Sequence, residues 1–472
     1  MKDKNLNKLI NYFLFSILIC TILSTILIEK YVFSEMNSYL IAIGSLTLSS
    51  MLFSVSVQKL SINLIYSFFN FFFFYLIPLL QLNSSSFNYF IFGTDVIFLV
   101  EKSLMIIFYF NLFYYCNYYR KYFDNTIYSV RVVRNKLNIS IIKWYSLFIL
   151  IFTTYVVVFI GWQVFFFRSY FEEFLKRSSQ IFILVYANYI SPLTVFIFVI
   201  AHKMKIRIAK KNLFFLLIIA IIYNSPIAKP RFYIFTIFMV IYSVFFMKRE
   251  RSGWIVLLYL AIGLFFSFYL SSLRYIDNID DLSSVKLTIN TSIFVKTIHF
   301  DAFEVLMMSV KYVQTKDFLY GENILGAILF FIPRVLWITK PITTGQLLLS
   351  KKINTLSLED ETFDNISCPL VAEIYISFGI IGIILIALLL GNMVAKFDLR
   401  FRQTTLFQKN QNTESEMIMI FLAISAGMIL FILRGSLMTS IAYYVGIISA
   451  YYTALKLFGL KIIWNRNKKN SR

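Results

Sequence analysis

About a dozen stretches of roughly twenty apolar residues recur along the chain, and no other feature narrows the fold as far. A hydrocarbon core of ~30 Å is crossed by ~20 residues of helix, and each such helix satisfies its own backbone polar groups. The stretches are 9–28, 37–57, 62–82, 94–116, 144–167, 181–200, 213–224, 232–247, 254–272, 370–395, 416–433 and 437–458. Composition agrees: 59% of the 472 residues are apolar, 19% are aromatic and only 15% are charged, where soluble globular chains carry ~25% charged residues. The expected fold is an all-α polytopic integral membrane protein with about twelve transmembrane helices. A soluble enzyme is excluded.

The net charge is +21. Its distribution decides what that means, because the basic residues crowd into short loops between apolar stretches. With the N-terminus inside, the inner segments together hold 27 Lys and Arg, six of them in 117–143 and five each in 201–212 and 459–472. The short outer loops hold Lys30, then Arg168, Lys176 and Arg177, then Lys229 and Arg231, then Arg434. The positive-inside rule therefore puts both termini in the cytoplasm. The charge is accounted for by topology and anionic lipid rather than by nucleic acid. Residues 1–272 form a membrane body, 273–369 a long outer segment, and 370–472 the last three spans with a basic tail. All three belong to one functional unit. Cys20, Cys116 and Cys368 have no metal-ligand spacing, so no metal or other cofactor is expected.

Two segments depart from the pattern. A hairpin of short helices, 213–224 and 232–247, turns at Ser225-Pro-Ile-Ala-Lys-Pro-Arg231. Irregular backbone and cations at membrane depth are tolerated only beside protein or a wet cavity. The second segment, 273–369, is far longer than an ordinary connection and is neither Gly/Ser-rich nor uniformly polar. Within it, 293–313 reads as an amphipathic helix, and 324–338 as an interfacial or re-entrant helix broken at Pro333.

Ionisable residues on the outer side carry the chemistry. Arg231, Arg274, Arg334, Lys340 and Arg434 sit in apolar surroundings, where snorkelling is the plain structural reading of each alone. Taken together they suit an anion, since the guanidinium fork matches phosphate oxygens. Glu373 lies a turn inside an apolar stretch and is the leading candidate base, with a structural ion pair to an arginine as the competing role. His299 and Asp301 are the alternates, His299 with packing as its plain role. Glu304, Asp277, Asp280 and Asp281 lie on the same side, and Glu359, Asp360, Glu361 and Asp364 read as a solvated surface. Nucleotide-binding loops, HExxH and serine-nucleophile elbows do not occur.

The stretch Gly326-Ala-Ile-Leu-Phe-Phe-Ile-Pro-Arg-Val-Leu-Trp-Ile-Thr-Lys-Pro341 resembles the P-R-x-x-W-x-x-K-P run of Wzy-type oligosaccharide repeat unit polymerases. Ile366-Ser-Cys-Pro-Leu-Val-Ala-Glu-Ile-Tyr-Ile-Ser-Phe-Gly379 is similar to that family's S-x-x-x-x-x-E-x-Y-x-x-F-G opening of a late span, although Cys368 stands where a small residue would be expected. Phe300-Asp-Ala-Phe303 and Phe431-Ile-Leu-Arg-Gly-Ser436 fit the same pattern. The likeness covers roughly 225–440. It implies a GT-C-like, metal-independent glycosyltransferase at the outer face of the bacterial cytoplasmic membrane. The implied donor and acceptor are oligosaccharides linked to undecaprenyl pyrophosphate, and a chain-length regulator is an implied partner. Arg231, Arg274, Arg334, Lys340 and Arg434, with Trp337 and Tyr375, would then contact pyrophosphate and glycan, and a base near the acceptor hydroxyl would complete the chemistry, the likeness leaving open which carboxylate serves. An O-antigen ligase of related fold and a flippase for lipid-linked oligosaccharide are the alternatives.

Overall fold

A computed structural model describes residues 2–27, 34–58, 60–85, 87–90, 94–124, 128–134, 139–159, 161–167, 170, 188–204, 210–245, 253–274, 300–350, 366–407 and 413–466. The chain is helical almost throughout. The first helices are α1 (Lys2–Leu27), α2 (Ser34–Val57), α3 (Ile62–Phe71), α4 (Ile77–Ser84) and α5 (Thr94–Tyr122). A π-helical turn, Phe72–Leu76, joins α3 to α4 without a break. Then come α6 (Ile139–Phe159), α7 (Ser191–Lys203), α8 (Lys210–Tyr223), α9 (Arg231–Phe245) and α10 (Gly253–Arg274). The last group is α11 (Ala302–Thr315), α12 (Glu322–Ile328), α13 (Thr344–Ser350), α14 (Leu370–Phe407), α15 (Thr413–Arg434) and α16 (Leu437–Leu457).

Six of the described helices are long and apolar enough to cross a membrane: Asn5–Ile26, Met36–Val57, Ile62–Ser84, Asp95–Tyr122, Leu370–Gln403 and Ser415–Arg434. They are not equivalent. Ser415–Arg434 is 94% buried and is the axis of the bundle, whereas Asn5–Ile26 is 17% buried and forms its flank. Without a hydrophobic drive between helices in lipid, close packing depends on small residues. A Cβ on Gly427 of α15 would stand 2.5 Å from the Thr236 Cα of α9, and one on Gly391 of α14 would stand 2.5 Å from the Tyr114 carbonyl oxygen of α5.

The hairpin is present as α8 and α9. Its turn is tied down by Asn224, which donates to the Ser191 carbonyl at 3.1 Å and accepts from the Tyr233 hydroxyl. Lys229 and Ala228 at the turn are buried, so the irregular backbone does lie against protein.

Two expectations need correction. The segment 324–338 is not one helix broken at proline: α12 ends at Ile328, and the chain continues through turns to Lys340. The Lys340 ammonium reaches back to the Phe330 and Ile332 carbonyls and fixes these turns. The fold also contains strand, as Tyr128–Arg134 (β1) pairs antiparallel with Leu460–Arg466 (β2). Val130, Val132, Ile462 and Ile463 supply the β-branched residues such a pair favours. Within 273–369 the amphipathic helix runs over 302–315, and 293–299 lies outside the described residues, as do 359–364.

Candidate functional site

At one end of the bundle, four pieces of chain far apart in sequence share a network of buried charge. α15 closes with Arg434, a favourable place for a cation at a helix C-terminus. Its Nη2 pairs with Asp301 Oδ1, and its Nη1 donates to the Ser367 carbonyl at 2.8 Å. The guanidinium lies 5.8 Å from the centre of the Phe73 ring. The π turn in the Phe72–Leu76 run presents that ring, and Phe73 also packs on Phe300 at 5.8 Å. Asp301 precedes α11, and its second oxygen accepts from the Tyr89 hydroxyl at 2.9 Å.

One turn into α11, Glu304 accepts from the backbone N–H of Asn88 and Tyr89 at 2.6 and 2.9 Å, and from the Asn88 and Gln81 amides, both at 2.7 Å. Burial pushes its carboxyl up to about 8, with Asp301 adding to the rise and the amide donors opposing it. Beyond Gly435, α16 begins, and its first N–H, from Leu437, donates to Glu373 Oε1 at 2.8 Å. The Thr344 and Ser436 hydroxyls lie beside the same carboxylate.

Backbone geometry holds Glu373 at this point. Gly379 takes φ 59°, which breaks the helical path of α14 and sets its first turns apart from the long span. The Ile376 carbonyl near the break accepts from Leu319 N at 2.9 Å. Asn323 ties α12 to the same turns, donating to the Glu373 carbonyl at 3.3 Å and to Thr344 Oγ1 at 3.2 Å, while Ser377 donates to it.

Of the residues singled out from sequence, Glu373, Asp301 and Arg434 thus meet, each no more than 4% exposed. Tyr375 faces the adjoining loop, 6.4 Å from Phe318. Arg334 and Lys340 lie in the turns after α12. Arg334 donates to the Lys340 and Pro341 carbonyls at 2.7 and 3.2 Å, and Trp337 sits half-buried between them. Burial, aided by Arg334, lowers the pKa of Lys340. Arg231 opens α9, whose Phe232 packs 6.0 Å from Phe431. Arg274 is the last residue of α10, and His299 lies outside the described residues.

The partnering differs from expectation. Arg434 is held by Asp301 rather than by Glu373, and Glu373 instead caps α16. The Arg434 fork, expected to bind phosphate, is buried and paired with the Asp301 carboxylate, whereas Arg334 is exposed and has only backbone carbonyls as partners among the described residues. Asp301 is the carboxylate that balances the Arg434 guanidinium, while Glu304 and Glu373 are held by amide and backbone N–H donors. Asn88, Tyr89 and Gln81 were missed, and the polar cluster at 81–88 was the only available signal for them.

A second buried carboxylate lies at the other end of the bundle. Asp398 accepts from Ser61 Oγ at 2.6 Å, from the Ile62 and Asn63 N–H groups at 2.7 and 3.2 Å, and from the Tyr118 hydroxyl at 2.9 Å. It caps α3 and has no cation among these partners. At the same end Lys203 pairs with Glu416 at 3.3 Å.

Compared with known proteins, the chain matches no family model, no curated protein and no solved structure.

Proposed function

We propose that the chain is a Wzy-type polymerase. In this reading it joins undecaprenyl-pyrophosphate-linked oligosaccharide units at the outer face of the bacterial cytoplasmic membrane, using about twelve spans in a GT-C-like arrangement. One observation carries the reading. Three of the four stretches that resemble the family, 300–303, 366–379 and 431–436, adjoin one another at a single end of the bundle through Asp301–Arg434 and Arg434–Ser367, and the residues that flank the fourth, 326–341, reach the same place through the Asn323 bonds to Glu373 and Thr344. Charge counting assigns the loops at this end to the outside, and it assigns Ser61, Asp398, Lys203, Glu416 and the β1–β2 pair to the inside.

The reaction transfers a glycan from the donor's pyrophosphate to a sugar hydroxyl. The hydroxyl oxygen forms the new bond at the anomeric carbon, the carbon–oxygen bond to pyrophosphate breaks, and a base takes the hydroxyl proton. In this reading Glu373 is the base. Asp301 is less suited, because its two oxygens are taken by Arg434 and the Tyr89 hydroxyl. Thr344 and Ser436 enclose Glu373, so the segment bearing Thr344 has to yield when the acceptor enters. Arg334 and Lys340, whose bonds go to backbone carbonyls, serve the leaving group with Arg231 and Arg274, since positive charge stabilises the departing pyrophosphate. Arg434 organises the site by holding Asp301 and the Ser367 backbone.

A flippase would call for cations along a path through both leaflets. The buried charges among the described residues instead gather at the two ends of the bundle. The glycan profile of a deletion strain tests the proposal. Single capped repeats without a ladder are the expected result, and loss of even single repeats would point to a flippase or ligase.

A further inference from the structure

The turns that follow α12 expose apolar side chains to a degree unmatched elsewhere in the described chain. Val335 is 88%, Leu336 80% and Ile338 86% exposed, and Phe331 and Ile328 are more than half exposed. Isolated exposed apolar residues are ordinary, but a contiguous patch marks an interaction surface. The loop does not present them by default. Lys340 turns inward and Arg334 lies along the loop, both donating to the loop's own carbonyls at positions 330, 332, 340 and 341, so that apolar side chains make up most of its outer surface.

Two observations identify what covers this surface. The first is continuity with the apolar stripe of α14. Phe378, Ile381, Leu385, Leu389 and Met393 are all exposed at helical spacing, the face a span turns to lipid. The segment leading into α12 is seated on the top of that stripe: a Cβ on Gly321 would stand 2.7 Å from the Phe378 ring, and Phe318 lies over Gly379. Depth agrees. Counted back from Lys396, the ~20 residues that cross a ~30 Å hydrocarbon core end near Ile376, whose carbonyl Leu319 N meets. The segment leading into α12, from which the loop follows after two turns of helix, therefore lies level with the edge of the hydrocarbon rather than beyond it. The second observation is charge. Neither Arg334 nor Lys340 has a carboxylate partner among the described residues, so the loop carries net positive charge beneath an apolar surface, which is the composition of interfacial segments that meet anionic lipid.

We infer that residues 329–342 form a membrane-seated loop, with Phe331, Val335, Leu336 and Ile338 immersed at the lipid–water boundary beside α14. This does not rest on the polymerase reading, since a ligase or an exporter would keep the same surface.

A photoreactive diazirine side chain at Leu336, in the full chain in nanodiscs of phosphatidylethanolamine and phosphatidylglycerol, tests the inference. Asp317, an exposed polar position in the segment leading to α12, is the control. A side chain 80% exposed can be replaced without unpacking the fold. The expected product at 336 is a phospholipid adduct, at least several-fold above that at 317, by mass spectrometry. Water adducts equal to those at 317 would overturn the inference, as would cross-links to another part of this chain or to a second protein.

Discussion

The two ends of the bundle handle buried carboxylates in opposite ways. At one end Asp398 is neutralised by geometry alone: two N–H groups at the start of α3 and two hydroxyls fill its acceptor positions. A carboxylate at a helix N-terminus is at home there, and nothing remains for it to do. At the other end Asp301 pairs with Arg434, and Glu304 and Glu373 are buried nearby with amide and backbone N–H donors as partners. So many buried ionisable groups in one place are costly inside a protein and persist where a partner or a reaction uses them. The contrast separates a structural end from a chemical one.

The largest expected effect breaks the chemical end outright. Arg434→Ala leaves Asp301 buried without its cation, a loss of ~3–5 kcal/mol for a pair broken on one side. Thermal unfolding in detergent should show a large drop, and adding Asp301→Asn should restore part of it. Next is Asp398→Ala at the structural end, which strands buried N–H groups at ~1–3 kcal/mol each. It should lower stability while the protein that remains folded keeps full specific activity. Equal loss of specific activity in a stability-matched comparison would erase the distinction between the ends.

How much of this was legible in the sequence varied with the kind of signal. Apolar length located the six qualifying helices and the hairpin, because burial in lipid imposes itself on every residue of a span. The resemblance and the loop charges pointed to one end, and Glu373, Asp301 and Arg434 do meet there. Pairing was not legible. Arg434 chose Asp301 because α11 and the end of α15 abut, a fact of packing that no spacing encodes. Asp398 looked like part of a cytoplasmic loop, since the apolar run stops near 395 while α14 continues to Phe407. The π turn in a run of phenylalanines left no trace, as either helical register buries the same residue type. The β1–β2 pair had a readable signal, alternating β-branched residues in Tyr128–Arg134 and Leu460–Arg466, but the strands are short and far apart in sequence.

Smaller effects sharpen the comparison. Gly427→Ala, midway between the ends, forces α15 off α9 and should cost ~1–3 kcal/mol as overpacking does, measured as a lower unfolding temperature. Last comes pH. The Glu304 carboxyl is raised from 4.5 to about 8, chiefly by burial, so the folded state holds its proton more tightly than the unfolded chain does. The stability this brings is complete in acid, below the unfolded value, and is lost as pH rises through about 8. The unfolding temperature should therefore fall as pH rises from about 4.5 to about 8 and level off above that, and Glu304→Gln should flatten that part of the profile. An unchanged slope in the variant would assign the dependence to another group.

The most direct test of the chemical end is polymer formation by purified protein given lipid-linked repeat units, comparing Glu373→Gln with Asp398→Asn. Both substitutions keep size and remove one buried carboxylate. The expected result is that Glu373→Gln remains folded and builds no ladder, while Asp398→Asn, though less stable, builds a normal one. A normal ladder from Glu373→Gln would contradict the account and leave Glu373 as a cap for α16.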